Sequence, residues 1–130
     1  MKKNQPVSIL VVDDDRTHRI MLKTMLKQWG WQVEEADDGT TAIEAAHRTP
    51  FDAILMDVRM TKLNGIEALR VIRGDRRSEK IPVIIVTSST LESDRTAAFA
   101  AGADAFLHKA FDIDEYERQI RSQLVRWLQD

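Results

Sequence analysis

Short apolar runs alternate with amphipathic stretches from one end of this chain to the other, and that alternation limits the fold more than any other feature. Val7-Ser8-Ile9-Leu10-Val11-Val12 is apolar and β-branched almost throughout, the pattern of a strand buried on both faces. Pro82-Val83-Ile84-Ile85-Val86 is the strongest such run, with proline at the first position, where a strand tolerates it. Ala53-Ile54-Leu55-Met56 and Ala105-Phe106-Leu107-His108 predict two shorter strands. Gln32 to Ala36 carries more charge and predicts a strand nearer an edge.

The intervening stretches have helical spacing. Ile20, Met21, Leu22, Met25, Leu26 and Trp29 recur at that period, and Gly30 stands where a C′ glycine would end the helix. Thr40 to Arg48 predicts a short helix with Ala42, Ile43, Ala45 and Ala46 inward. Ile66, Leu69, Val71 and Ile72 mark a third helix after Gly65. Leu91 to Ala101 is Ala-rich and weakly amphipathic. Asp112 to Leu128 predicts a last helix with Ile113, Tyr116, Ile120, Leu124, Trp127 and Leu128 on one stripe. The charged stretch Gly74 to Lys80 reads as a solvated connection.

Strands separated by helices imply parallel pairing, right-handed crossovers and helices on both faces. Five strands favour the doubly wound order 2-1-3-4-5, with a ligand beyond the carboxyl ends of strands 1 and 3. A length of 130 residues suits one domain, here 1–130 with a core over about 7–128, and an apolar fraction of 43% suffices for its core. The absence of cysteine excludes a disulfide scaffold, a thiol nucleophile and a Cys-ligated zinc. A net charge of -2 gives no general attraction to nucleic acid or to an anionic membrane. No apolar run approaches the ~20 residues of a membrane span, and Met1 to Pro6 does not read as a signal peptide. A soluble, cytoplasmic domain is expected.

The predicted strand ends carry the chemistry. Asp13-Asp14-Asp15 follows the first strand, Asp57 the third, Thr87-Ser88-Ser89-Thr90 the fourth and Lys109 the fifth. In the expected fold these groups converge on one rim. Like-charged carboxylates ~4 Å apart at an effective dielectric of ~20 repel by roughly 4 kcal/mol per pair. A divalent cation relieves this repulsion, and hard oxygen ligands suit Mg²⁺ or Mn²⁺. A lysine, a hydroxyl and a metal around one carboxylate make a phosphoryl-transfer site, in which that carboxylate can become an aspartyl phosphate. Neither GxGxxG nor a P-loop occurs, and the first strand-to-helix turn is acidic, which disfavours a flavin or dinucleotide.

Ile9-Leu10-Val11-Val12-Asp13-Asp14-Asp15, Leu55-Met56-Asp57-Val58-Arg59-Met60, Val86-Thr87-Ser88, Gly102-Ala103-Asp104, and Lys109 with Phe111, in this order and at these spacings, resemble the response-regulator receiver family of two-component signalling. The resemblance, chemotaxis-regulator-like in extent, runs from Ile9 to about Gln129. It implies a flavodoxin-like (βα)5 fold. Members of the family are standard examples of the 2-1-3-4-5 order, so the order carries no weight apart from the resemblance. It implies that Asp57 is the phosphoacceptor, that Asp14 binds Mg²⁺ directly and Asp13 directly or through water, and that the Arg59 carbonyl completes the protein ligands. Lys109 would pair with the phosphoryl group, and Thr87 would move to contact it. Phe106 would pack inward on activation, and the Arg59 side chain would tune dephosphorylation. Chemistry would be limited to self-catalysed phosphoryl transfer and slow autodephosphorylation. The implied partners are a sensor histidine kinase or histidine phosphotransfer protein and a downstream effector, with a phosphorylation-linked homodimer through Arg95 and Asp104 as a further expectation. No direct nucleic-acid or membrane contact is expected.

Three positions depart from the family pattern. Thr61 stands for the usual proline, Asn64 for the usual aspartate, and Ala110 for the proline after the lysine. A cis bond costs ~2.5–4 kcal/mol before a non-proline residue, so the Lys109–Ala110 bond is expected to be trans and the reach of Lys109 altered. A receiver-like binding module with weakened or lost phosphorylation is therefore one alternative. A haloacid-dehalogenase-like phosphatase is another, because Asp13-x-Asp15-x-Thr17 fits its opening. That fit leaves Asp57 unexplained and finds Asp112 and Asp114 at a helix start. Among the remaining polar groups, Asp15 reads as a helix cap, Ser89 and Thr90 as caps of the fourth helix, and His18, His47 and His108 as incidental. Trp29 and Trp31 read as packing at a helix–strand corner.

Overall fold

The computed structural model describes residues 6–110 and 112–128. Along the chain lie β1 (Ser8–Val12), α1 (Arg16–Gln28), β2 (Gln32–Ala36), α2 (Gly39–Arg48), β3 (Ala53–Met56), α3 (Gly65–Arg73), β4 (Val83–Thr87), α4 (Glu92–Ala100), β5 (Ala105–His108) and α5 (Ile113–Trp127). All strand pairs are parallel and the sheet order is β2-β1-β3-β4-β5, as the alternation requires. Phe111, quoted above among the motifs, lies outside the described residues.

Alternation along the buried strands divides the core in two. Ile9 and Val11, Ala53 and Leu55, and Ile84 and Val86 face α1 and α5, where Leu22, Leu26, Tyr116, Ile120 and Leu124 meet them. Leu10 and Val12, Ile54 and Met56, and Val83 and Ile85 face the other way, toward Ala42, Ala46, Leu69, Ile72 and Ala98 of α2, α3 and α4. Each fully buried Ile or Leu contributes roughly 1.5–3 kcal/mol, so both layers are strongly held. β2 is an edge strand, and its charges are paired: Glu35 accepts from Arg19 Nε and Lys23 Nζ, both at 2.9 Å, and Glu34 accepts from Arg48.

Helix ends follow the local sequence. Asp15 caps α1 through its side chain, as expected, and Asp38, Asn64 and Asp112 cap α2, α3 and α5. Gly30 (φ +84°) ends α1, with Gly30 N–H donating to the Lys27 carbonyl and Trp31 N–H to that of Leu26, the paired bonds of a Schellman turn. Trp29 and Trp31 pack edge-to-face at this corner, ring centres 5.4 Å apart.

Several expectations need correcting. β4 starts at Val83 and reaches Thr87; Pro82 has no N–H for the ladder. The α4 cap is Leu91, which has no side-chain capping bond, so neither Ser89 nor Thr90 caps the helix. Ser89 Oγ instead donates to Asp94 and accepts from Leu91 N–H. Ile20, Val71 and Ile113, placed inward by spacing, are exposed: at 100° per residue Ile20 and Val71 lie on the side of the helix away from the buried stripe, and Ile113 is the first residue of α5.

Candidate functional site

The register fixes the rim. Val12 is level with Met56 across the β1–β3 pair, so Asp13 and Asp57 leave the sheet side by side. Asp13 N–H donates to the Ala36 carbonyl and Asp57 N–H to that of Val12, which extends the ladder through both carboxylate-bearing residues. Thr87 pairs with His108, and the Lys109 N–H donates to the Thr87 carbonyl at 2.9 Å, so the lysine starts from a fixed point. Its ammonium lies 2.9 Å from Asp57 Oδ2 and 3.0 Å from Asp13 Oδ2. There is no cis peptide bond among the described residues. The bond before Ala110 is thus trans as expected, but the expected change in reach does not follow, since the ammonium still meets both carboxylates.

Asp13 and Asp57 are buried, at 1% and 5% exposure, whereas Asp14 is exposed. Burial pushes the Asp13 carboxyl up, but bonds from His18, the Asp15 N–H and Lys109 together outweigh it and hold the group below the ordinary carboxylate range. Burial likewise disfavours the Lys109 ammonium, and Asp57 and Asp13 overcome it, raising its pKa. Asp57 Oδ1 faces the Arg59 N–H at a long 3.4 Å, and Asp14 Oδ2 accepts from Thr61 N–H at 3.2 Å. Gly65 holds the loop after Asp57 close: a Cβ there would lie 2.0 Å from the Asp57 carbonyl oxygen. The Thr87 side chain is fully buried, and its Oγ1 accepts from Ser89 N–H at 3.2 Å. Phe106 is buried, with the Arg95 guanidinium 5.7 Å from its ring centre.

The donor set suits a small hard cation. A carboxylate offers about four lone-pair directions. Three of those of Asp13 are taken, by Asp15 N–H on Oδ1 and by His18 and Lys109 on Oδ2. Asp14 and Asp57 keep more free. Among the described residues no group of three or more His, Asp or Glu side chains is placed to hold a metal ion. Mg²⁺ does not need such a group, since it keeps several waters and is held by one or two carboxylates.

Of the residues anticipated at the rim, Asp13, Asp57 and Lys109 meet directly and Asp14 flanks them. Thr87 is engaged with its own loop, and the Arg59 side chain turns to α4, donating to Asp94 Oδ2 at 2.7 Å. Asp104, expected with Arg95 at a dimer contact, accepts from Val83 N–H and Arg73 within its own chain. The expectation for His18 also fails: it is buried, with Nδ1 2.6 Å from Asp13 Oδ2 and Nε2 2.6 Å from the Tyr116 hydroxyl. The signal was in the sequence, since His18 occupies the stripe continued by Leu22, Met25 and Leu26. Asp15, part of the Asp13-x-Asp15-x-Thr17 opening on which the phosphatase reading rests, spends its side chain on the α1 N-terminus.

Known proteins share this sequence pattern and fold. Residues 9–121 match the family described as the response regulator receiver domain. Response regulator MprA of Mycobacterium leprae is 39% identical over 118 residues, 91% of this chain and 51% of the relative. The chain spans about half the length of the curated relatives it matches. The receiver domain of sensor histidine kinase PA1611 from Pseudomonas aeruginosa, with magnesium coordinated in its active-site cleft, superposes with TM-score 0.86 at 32% identity, covering 95% of this chain and 98% of that one. Chemotaxis protein CheY4 of Vibrio cholerae gives TM-score 0.86 at 29% identity over 95% and 100%. No helix among the described residues is long and apolar enough to cross a membrane. With the carboxylate pair, the lysine between them and the strand order that unites them, this chain belongs to the response-regulator receiver family of two-component signalling.

Proposed function

We propose that residues 1–130 work as one receiver domain in the cytoplasm, in which Asp57 accepts a phosphoryl group and so switches the α4–β5–α5 face. An Asp57 carboxylate oxygen attacks phosphorus while the phosphorus–nitrogen bond of a donor phosphohistidine breaks and the imidazole leaves. Lys109, already 2.9 Å from Asp57, would pair with charge on the transferred oxygens. Asp13, Asp14, Asp57 and the Arg59 carbonyl would hold Mg²⁺, with Mn²⁺ as a substitute. Bound there, the ion would neutralise charge on the phosphoryl oxygens.

Phosphorylation would draw the Thr87 hydroxyl from Ser89 N–H to the new oxygens. Phe106, two residues before Thr87's β5 partner His108, would then repack. Shifting a population from ~1:99 to ~99:1 needs about 5.5 kcal/mol, and each hydrogen bond to a charged group supplies roughly 1.5–3 kcal/mol. The new Thr87 bond would supply at most about half of the energy needed, because Lys109 already pairs with Asp57 and Asp13 before phosphorylation. Phosphodonors would be a sensor histidine kinase or a histidine phosphotransfer protein, and the output an effector protein or domain. With Asp104 engaged internally, a phosphorylation-linked dimer would rest on Arg95 rather than on the pair.

The observation that carries this reading is the single ammonium shared by two buried carboxylates despite Ala110. The test is intact mass after incubation with acetyl phosphate, with and without Mg²⁺, on wild type and Asp57→Ala. The expected result is a Mg²⁺-dependent gain of one phosphoryl group that is absent in the variant. No gain by a folded wild type would leave the constitutive binding module as the better reading.

A further inference from the structure

Two polar residues stand where the core would accept aliphatic ones. On α1 the buried stripe is His18, Leu22, Met25 and Leu26; on α5 it is Tyr116, Ile120 and Leu124. Each stripe begins with a polar residue at the end nearest the rim, and the two meet there. The Tyr116 ring is fully buried and lies 5.7 Å from the imidazole, 26° from parallel. Buried polar groups require partners, and here each supplies the other's.

Donor and acceptor roles follow from the chemistry. An ionised carboxylate only accepts, so His18 Nδ1 donates its hydrogen to Asp13 Oδ2. Burial, reinforced by the charges of Asp13 and Asp57, pushes the Tyr116 phenol well above its ordinary pKa, so it keeps its proton. In the tautomer with its hydrogen on Nδ1, the imidazole accepts from the phenol through Nε2. A continuous line of polar contacts runs from Tyr116 through His18 to Asp13, then through Lys109 to Asp57. Its first two links are wholly buried. That line is a route from the carboxylates to α5 that bypasses Thr87 and Phe106.

We propose that His18 is a positioning residue that holds the Asp13 carboxylate from behind the rim and, through Tyr116, ties it to α5. The inference rests on the reading of Asp13 as part of a Mg²⁺ site. It assigns α5 a response to the metal alone, before any phosphorylation.

The test titrates unphosphorylated protein with Mg²⁺, following backbone amides by NMR and affinity by calorimetry. In wild type, resonances at Asp14 and Arg59 and resonances from Tyr116 to Ile120 should shift together with one midpoint. Nitrogen chemical shifts should place the His18 hydrogen on Nδ1. His18→Leu should weaken Mg²⁺ binding by about 10-fold, at the low end for loss of a group that orients a ligand. It should also abolish the α5 shifts while those at Asp14 and Arg59 persist. His18→Asn, whose amide can still donate to Asp13, should recover most of the affinity but not the α5 response. Tyr116→Phe should keep affinity within about 3-fold of wild type, because Nδ1 still meets Asp13, and lose the α5 response. Shifts at the rim without shifts on α5 in wild type would overturn the inference and leave the metal site standing. Unchanged affinity in a folded His18→Leu would do the same. Absence of heat and of shifts anywhere would overturn the metal site and this inference with it.

Discussion

The two walls of the acidic rim are built differently. Behind Asp13, on the α1–α5 side, side-chain bonds run into the core: Asp13 to His18 and His18 to Tyr116 are buried, Lys109 reaches back to Asp13, and the Asp15 N–H and Arg19 brace the same residue. In front of Asp57, the loops leading to α3 and α4 depend on backbone and surface contacts. Gly65 N–H donates to the Val58 carbonyl, Thr61 N–H reaches exposed Asp14, and Arg59 crosses to Asp94 with its own side chain 62% exposed. Buried, fully partnered contacts resist rearrangement, whereas exposed ion pairs contribute little and exchange readily. A switch needs both kinds of wall: one to define the pocket and one that can repack. Under the proposed function the rear wall would set where the phosphoryl group sits, and the front wall would answer it.

Removing the cation should damage the rear wall most. Lys109→Met leaves Asp13 and Asp57 facing each other without a positive charge, and breaking a buried pair costs about 3 kcal/mol at the low end. Urea unfolding in metal-free buffer should show that loss, and adding Asp57→Asn should restore most of it; a double variant no more stable than Lys109→Met would refute the repulsion account. The pH profile adds a second check. The Lys109 pKa is raised above its ordinary 10.5, so its contribution is full below that value and is lost as pH rises through the folded pKa. The Asp13 pKa is depressed below 3.8, so its contribution is full above that value and is lost as pH falls through the folded pKa. Lys109→Met should flatten the alkaline limb of the wild-type curve.

The front wall has one rigid point. Gly65→Ala would set a Cβ 2.0 Å from the Asp57 carbonyl oxygen and 3.2 Å from the Val58 Cα, both backbone atoms with no rotamer to yield. Overpacking of this kind costs about 2 kcal/mol. Because the loop carries Arg59 and Thr61, the variant should also lower Mg²⁺ affinity. A variant as stable as wild type, with unchanged affinity, would show that the loop is not anchored there.

How far the sequence could be read follows the same division. β2, β3 and β5 fall on the residues read as strands, and the order across the sheet follows from alternation with helices. Asp13, Asp14, Asp57, Thr87 and Lys109 were legible because strand ends in a doubly wound sheet share one rim whatever the side chains do. His18 with Tyr116 was not, since the partners lie 98 positions apart and neither belongs to the family motif. Tyr116 was placed on the α5 stripe, but a stripe says that a residue faces inward and not what it meets. The Arg59–Asp94 pair, 35 positions apart, was hidden for the same reason. Ser89 and Thr90 look like caps in any local window; the fold begins α4 two residues past Ser89's neighbour and gives the Ser89 hydroxyl to Asp94 instead.

The smallest effect expected is also the one that most sharpens the contrast. Arg59→Ala removes the bond to Asp94, but Asp94 keeps the Ser89 hydroxyl as a partner, so no buried carboxylate is left bare. With most of the Arg59 side chain in solvent, the loss should stay below about 1 kcal/mol and vanish near ~1 M salt, where the screening length falls to ~3 Å. Urea unfolding of wild type and Arg59→Ala at low and high salt measures both quantities. The free energy should change little, while α4 amides should exchange with solvent faster, because the pair joins the first turn of that helix to the loop after Asp57. A loss as large as that of Lys109→Met, or one indifferent to salt, would mean that the front wall is held as firmly as the rear, and repacking of α4 would then need a source other than the release of Arg59.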